Sequence, residues 1–390
     1  MDKAFYFCGQ VIPSRLLEKN FDSFGKQVSP AANTFYNALL DGLCENGARV
    51  YTSLVLPGVN VSDLEQDYEG KWQISFGKAK SSFISRVMKS FTTSFSGIRS
   101  FQRKEKKSEK YVVFNVLRLG ASLGGLFACR LFGLKTVGIV TDVPGYRIKE
   151  AKGGFFRTLC DKIARKILGS FDCYVLLSEA MAEVMPKKKP YIVFEGLYHA
   201  DQDKEVERAE KFENFTVMYA GSLHYQYGIM NLVKAVQRLP DEDIRLHIYG
   251  SGEAKDEIES ISKSDPRIAF FGSVSHGEIL KQIRKASLLV NPRPVEDEYV
   301  KYSFPSKNME YMASGTPVLL TDIPSLPEEY KEYIFTAKNN GAETLSEKIA
   351  EIKHFSGQNS VTKKATDARE FILAKKSERV QAARLIQFLQ

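Results

Sequence analysis

Tyr302-Ser303-Phe304-Pro305-Ser306-Lys307-Asn308-Met309-Glu310-Tyr311-Met312-Ala313-Ser314-Gly315-Thr316-Pro317-Val318 reads as a helix start, a short helix closed by Gly315, and the opening of a buried strand. Pro305 suits the first helical position, where a missing N–H is no loss, and the Ser303 and Ser306 hydroxyls are placed to cap free backbone donors. Helical spacing puts Ser303, Lys307, Glu310 and Ser314 on one face, and Met309, Met312 and Ala313 on another that can be buried. A helix N-terminus offers free N–H groups and partial positive charge. A diphosphate therefore fits beside Ser306, with Lys307 adding a full charge. Glu310, one turn deeper, can accept hydrogen bonds from both vicinal hydroxyls of a ribose. A capped helix with a solvated Lys and Glu is the plain alternative, and the surrounding sequence has to decide.

Working outward, short apolar runs alternate with helical patterns from Phe215 to Leu320, a βαβα rhythm. Ile229, Leu232, Val233, Val236 and Leu239 recur at helical spacing. The strand candidates are short and continuously apolar, as in a parallel sheet covered on both faces. The first half repeats the rhythm from Phe5 to Phe194 with looser punctuation. A chain of 390 residues exceeds the roughly 250 that one core usually supports, so two domains are expected. The expected boundaries are an N-terminal Rossmann-like domain over 1–200, a charged linker over 201–214, a second Rossmann-like domain over 215–367, and a helical segment over 368–390.

The five cysteines, at 8, 44, 129, 160 and 173, show neither CxxC nor Cys/His ligand spacing, which points to reduced thiols, a cytoplasmic location and no structural metal. The N-terminal apolar run is too short and early for a signal peptide and reads as a first strand. The most apolar region, Tyr111 to Val140, is interrupted by Arg118, Arg130 and Lys135, so no transmembrane segment is expected. The net charge of +8 concentrates between Lys78 and Lys110. There Phe83, Ile84, Val87, Met88, Phe91, Phe95 and Ile98 form an apolar stripe beside basic residues. The stripe fits a helix lying on an anionic membrane, or equally one packed on its own sheet with its charges in water. Nucleic acid is disfavoured because no binding module or aromatic platform accompanies the charge.

Four further pieces stand in order along the second half: Tyr219-Ala220-Gly221-Ser222-Leu223, Ile248-Tyr249-Gly250-Ser251-Gly252-Glu253, Phe271-Gly272-Ser273-Val274, and Asn291-Pro292 ahead of the opening stretch. Together they resemble the retaining GT-B glycosyltransferases of the large group 1, family 4-like type, which includes bacterial capsule and exopolysaccharide enzymes. The resemblance covers roughly Phe215 to Ile352. It implies an α/β fold of two Rossmann-like domains facing a central cleft. The donor nucleotide diphosphate would lie against Gly221, Ser222, Gly250 and Gly252, the base against backbone near Val274, the phosphates against Ser306 and Lys307, and the ribose against Glu310. Gly221 would let backbone approach the pyrophosphate, while Gly250 and Gly252 would permit a tight strand-to-helix turn.

The chain also departs from the pattern. Where relatives carry an Arg and a Lys to neutralise the diphosphate, Ser222 and Tyr227 stand, and the nearest substitutes are Lys307 and Arg293. The first of the family's paired glutamates is replaced by Tyr302; Glu296, Asp297 or Glu298 could take its place. In the first domain Thr141-Asp142 occupies the place of a His-Asp pair, which makes Asp142 the catalytic candidate, against the alternative of an Asp opening a Pro-Gly turn. By the same resemblance His224, in the first phosphate loop, would touch the donor, and His247 reads as structural.

The resemblance implies transfer of a sugar with retained configuration from a nucleotide-diphosphate donor, UDP being the first choice, to a lipid-linked saccharide in cell-surface polysaccharide synthesis. Neither metal nor cofactor is expected, the nucleotide-sugar being a substrate. An enzyme of this kind would sit in the cytoplasm or on the inner face of the membrane. A nucleotide-sugar epimerase on the same fold and a non-catalytic partner subunit remain the alternatives.

Overall fold

The computed structural model describes residues 2–19, 29–57, 70–79, 82–143, 155–185, 189–200 and 209–390. The chain forms two compact units, Met1–Leu197 with Glu378–Gln390, and Tyr198–Ser377. Most of the linker expected at 201–214 lies outside the described residues.

Unit 1 is built as β1 (Lys3–Cys8), α1 (Ser14–Lys19), α2 (Pro30–Glu45), β2 (Arg49–Pro57), β3 (Gln73–Ala79), α3 (Phe83–Lys104), β4 (Glu109–Asn115), α4 (Leu119–Phe132), β5 (Lys135–Val140), α5 (Phe155–Leu168), β6 (Cys173–Leu176) and β7 (Tyr191–Val193). Its seven strands are parallel in the order β3-β2-β1-β4-β5-β6-β7. Strand alternation explains the two covered faces. Phe5 and Phe7 point to the core that α2 closes with Tyr36, Leu39, Leu40 and Leu43, while Tyr6 points to the other face against Phe101 of α3.

Unit 2 follows as β8 (Phe215–Ala220), α6 (Ile229–Arg238), β9 (Ile244–Tyr249), α7 (Lys255–Ser264), β10 (Ile268–Phe270), α8 (His276–Lys285), β11 (Leu288–Asn291), α9 (Lys307–Ala313), β12 (Val318–Thr321), α10 (Glu328–Lys331), β13 (Phe335–Ala337), α11 (Ala342–Phe355) and α12 (Asn359–Phe371). Its six parallel strands run β10-β9-β8-β11-β12-β13. Val217 and Tyr219 of β8 enter the core beneath α6, and Met218 and Ala220 enter the core on the opposite face. In both sheets strand order reverses beside the first strand, between β1 and β4 and between β8 and β11. Open parallel sheets bind ligands outside the carboxyl ends of the strands at such a point, where neighbouring loops diverge.

The closing segment, expected over 368–390 as one or two helices, is divided between the two units. Phe371 and Ile372 join the core of unit 2, whereas α13 (Glu378–Phe388) returns to unit 1 and contributes Ala382 and Leu385 to the core beneath α2. Gly42 of α2 permits this approach, since a Cβ there would fall on the Glu378 carbonyl. Ser377, extended between the two helices, bridges to Tyr198, so unit 2 begins and ends at the same place.

The stripe on α3 is also divided. Ile98 is fully buried, while Phe83, Ile84 and Met88 are 57 %, 74 % and 59 % exposed. Leu123, Phe127 and Leu131 of α4 are exposed as well. Backbone contact between the two helices is allowed by Gly120 and Gly124, where a Cβ would strike the carbonyls of Val87 and Phe91. The basic run is partly structural. Glu105 is buried, receives Arg49 Nε and Nη2 at 2.9 Å each and the Tyr51 and Ser108 hydroxyls, and Lys110 Nζ caps its carbonyl at 2.8 Å. These bonds hold the Glu105 carboxyl at about 2 despite the opposing effect of burial. Among the described residues, no helix is long and apolar enough to cross a membrane.

Candidate functional site

The carboxyl edge of β8 and β11 is tied to α9 by two buried contacts. The Ala220 N–H donates to the Tyr311 hydroxyl at 2.8 Å, and Asn291 Nδ2 donates to Asn308 Oδ1 at 2.7 Å. The sequence Lys307–Ala313 is helical because Met309, Tyr311, Met312 and Ala313 have a core to enter. Burying that face presents Lys307 and Glu310 at the switch point.

Lys307 Nζ lies 4.2 Å from the centroid of the Tyr219 ring, against Gly221, where a Cβ would fall on the ammonium. Gly221 is therefore required for the close approach of a cation. Although part of the Lys307 side chain remains accessible, the ammonium is poorly hydrated; burial, and then the charge of Arg293, lower its pKa to about 7, while Glu310 opposes the shift. Arg293 stacks on Tyr227 with its guanidinium carbon 3.8 Å from the ring centroid, and its Nη1 lies 3.4 Å from the Tyr299 hydroxyl. Its Nε is buried without a hydrogen-bond partner. Thr321 fixes the backbone here, its hydroxyl donating to the Arg293 carbonyl at 2.6 Å. Two cations that act on each other and a buried donor left unpaired cost free energy in the unliganded protein, and an anion would relieve both terms.

Tyr227, at the position where a cation is absent from the sequence, thus serves as the face on which Arg293 is displayed. Ser222 is exposed, and its carbonyl accepts the Tyr219 hydroxyl at 2.8 Å. The Gly250 N–H donates to the Gly272 carbonyl at 2.8 Å, and a Cβ on Gly250 would strike the Gly221 carbonyl. Gly252 lies against the backbone of Leu223. These glycines stack the loops after β8, β9 and β10 on one another, a packing role beyond the tight turn that the spacing suggests.

Glu310 Oε1 lies 2.9 Å from His276 Nε2 at the start of α8. Sequence reading missed His276, although Ser275-His276-Gly277-Glu278 has the form of a helix start, and the Ser275 hydroxyl does accept the Glu278 N–H at 3.3 Å. Val274, two residues earlier, is exposed, as is Phe271, which stacks on Tyr249 at 4.7 Å and 9°. His224 Nδ1 lies 3.8 Å from Glu253, and its ring meets Tyr227 edge-on. His247 packs edge-on against Phe212 and Phe271, and burial lowers its pKa.

Some expectations are not met. The α-helix starts at Lys307 rather than Pro305, and the Ser306 hydroxyl, on an exposed residue, makes no capping bond. Ser303 is used through its carbonyl, which accepts from Ser325 Oγ at 2.9 Å. Short helices beginning in a tight turn satisfy their first donors locally, here by the Asn308 and Met309 N–H groups donating to the Pro305 and Ser306 carbonyls. Glu296, Asp297 and Glu298 are exposed, and Glu310 is the carboxylate that acts on Lys307. In unit 1, Asp142 is exposed just beyond β5 and Thr141. No group of three metal-ligating side chains occurs among the described residues.

The stretch that builds this switch point has a counterpart among known families. Residues 214–354 match the glycosyl transferases group 1 family. The matched stretch lies wholly within unit 2. Solved structures extend the likeness of fold over both units. Sucrose-phosphate synthase from Thermosynechococcus elongatus is 14 % identical over 99 % of this chain and 98 % of its own, with a TM-score of 0.69. Anabaena HepE in complex with UDP is 12 % identical over 99 % of each chain, with a TM-score of 0.66. The lipopolysaccharide outer core galactosyltransferase WaaB is 13 % identical over 99 % of each, with a TM-score of 0.61. No curated protein matches by sequence. The two Rossmann-like units have the GT-B fold, and the stretch similar to the glycosyl transferases group 1 lies in the second of them.

Proposed function

We propose that the protein transfers a sugar from UDP-sugar to a saccharide acceptor with retention of configuration, in cell-surface polysaccharide synthesis. The convergence of Lys307 and Arg293 at Gly221, with Glu310 one helical turn from Lys307, carries this reading. The two charges stabilise the diphosphate as it departs, and being held in place beforehand they need no reorganisation during the reaction. Glu310, oriented by His276, accepts the ribose hydroxyls, and Gly221 and Ser222 face the diphosphate. UDP as the nucleotide is supported by the HepE complexes, which contain UDP and UDP-glucose. The departing phosphate oxygen takes the acceptor's proton on the same face of the sugar, so no enzymic nucleophile is used, and Asp142 in unit 1 serves the acceptor side. With both missing cations supplied from elsewhere in the fold, a binding-competent enzyme is favoured over a non-catalytic subunit.

The acceptor is lipid-linked in this proposal. Exposed Phe83, Ile84 and Met88 of α3 and Leu123, Phe127 and Leu131 of α4 form an apolar surface. Beside it a groove of ≈ 550 Å³ includes Phe91, Leu126, Arg130 and Lys166 in its lining. Apolar side chains flanked by cations suit an anionic bilayer.

Titration calorimetry with UDP and uridine tests the donor reading. Binding of UDP, weakened by Lys307→Met while uridine binding is unaltered, is the expected result. Failure of UDP and other nucleoside diphosphates to bind would sink it.

A further inference from the structure

The groove beside the exposed face of α3 and α4 differs from that face in being walled by three helices. Phe91 comes from α3, Leu126 and Phe127 from α4, and Ile163 and Ile167 from α5. The two isoleucines stand four positions apart, so they lie on one side of α5. Leu126 is buried, whereas Phe127 is exposed and packs on Phe95 of α3 with ring centroids 5.8 Å apart. The volume of ≈ 550 Å³ falls within the roughly 300–1,000 Å³ of small-molecule sites.

The apolar stretch ends in cations. Arg130 and Lys166, in the last turns of α4 and α5, are exposed and belong to the lining. Arg130 Nη2 donates to Ser170 Oγ at 3.1 Å, and because Ser170 lines the groove too, the guanidinium is held against it. Among the described residues, the lining contains no carboxylate. Each helix end contributes roughly half a negative charge, which the two full cations exceed. This end of the groove is therefore net positive.

Its place in the sheet separates it from the switch point of unit 1. Helix α4 leaves the carboxyl end of β4, and a rise of about 1.5 Å per residue puts Arg130 about 16 Å along the axis from Leu119. Ser170 stands just ahead of β6, at the amino edge of the sheet. Ligands of open parallel sheets bind at the opposite edge.

We propose that this groove holds one chain of an anionic membrane phospholipid, with the lipid phosphate between Arg130 and Lys166, as a site separate from that of the acceptor. The occupant has to be apolar over most of its length and anionic at one end. A soluble anion would leave the apolar walls in water. A second copy of this chain is disfavoured by charge, since a two-fold contact sets a patch against itself and would bring the cations of both copies together. A phospholipid drawn part-way out of the bilayer meets both demands. The inference rests on the reading of this face as membrane-bound, and it needs neither the donor nor the acceptor assignment.

Calorimetry on the full chain with dihexanoyl phosphatidylglycerol and dihexanoyl phosphatidylcholine, both as monomers, tests the groove apart from the bilayer. The phosphatidylglycerol is expected to bind about fivefold more tightly or better, as two exposed cations near a lipid phosphate allow. Arg130→Gln/Lys166→Gln should bring the two lipids to within about twofold. Leu123→Trp fills the groove from an exposed lining position while keeping the face apolar. It should weaken both lipids at least about tenfold, because several methylenes lose their burial, and should leave retention on phosphatidylglycerol vesicles in place. Ile84→Ser/Leu131→Ser, outside the groove, should do the reverse. Equal affinity of the wild type for the two lipids, or undiminished binding by Leu123→Trp, overturns the proposal. Retention on vesicles with no binding of monomers overturns it too and leaves the membrane reading standing; binding of monomers with no retention on vesicles overturns the membrane reading and leaves the groove.

Discussion

The two switch points are built on the same sheet topology but solve the problem of charge differently. Beside β8, glycine removes side chains so that Lys307 can be drawn in under the loop, and an aromatic ring displays Arg293. Beside β1, an arginine comes directly from the strand-to-helix loop, and α2 supplies a buried tyrosine. The first arrangement holds two cations close enough to depress an ammonium; the second displays an arginine, a group that stays charged throughout the neutral range. They should therefore differ in pH dependence and in ligand.

Removing both cations of unit 2 in Lys307→Met/Arg293→Gln should give the largest effect. A loss of about 3 kcal/mol in UDP affinity is expected, from two charge-assisted hydrogen bonds of about 1.5 kcal/mol or more each. Arg118→Met should leave UDP affinity unaltered, and a comparable loss in that variant would break the distinction between the two sites.

The pH dependence sharpens it further. Lys307 titrates near 7 in the unliganded protein, and a bound diphosphate favours its charged form. Binding above pH 7 should take up close to one proton, and UDP affinity should fall by up to about 1.4 kcal/mol per pH unit as pH rises from 7 toward the pKa of the complex. Calorimetry in buffers of different ionisation enthalpy measures the uptake. Folding stability moves the other way. A lysine whose folded pKa lies below its unfolded value destabilises the fold fully below pH 7, and that cost is relieved as pH rises toward the unfolded pKa. Lys307→Met should abolish both trends.

Glu310→Gln should weaken UDP by about 1 kcal/mol through the ribose, with His276→Ala giving part of the same loss. A double-mutant cycle showing additivity would mean that His276 does not act through Glu310. Smallest of all should be Ser306→Ala, whose hydroxyl makes no cap: a change in stability or UDP affinity beyond about 0.5 kcal/mol would contradict the local geometry. On unit 1, phosphatidylglycerol vesicles should retain the protein at low salt and release it at high salt, and serine at Ile84, Phe127 and Leu131 should reduce retention. Undiminished retention would place the membrane contact elsewhere.

Much of unit 2 was legible because its signals are local. Alternating apolar runs, the glycines after three successive strands, and the four-residue gap from Lys307 to Ser303 on one side and the three-residue gap to Glu310 on the other follow from helix and strand periodicity. Arg293 and Lys307 could be named from the sequence as candidate substitutes for the absent cations, although their joint position could not. Spacing also overstated the capping hydroxyls, since a short helix can satisfy its first donors through backbone turns. The stripe on α3 left packing and exposure equally open, because amphipathicity states that one face is apolar and leaves open which helix covers it.

Chain order and periodicity were sufficient for two α/β units, their strand rhythm and the face of α9 that carries Lys307 and Glu310. Tertiary structure alone decided that Tyr227 would carry Arg293 on its ring, that His276 would reach Glu310, and that α13 would leave its sequence neighbours for the core of unit 1. Periodicity fixes which way a side chain points from its own element. Which charge or ring it meets depends on elements brought together by burial of apolar surface far along the chain, and residue spacing carries no record of that meeting.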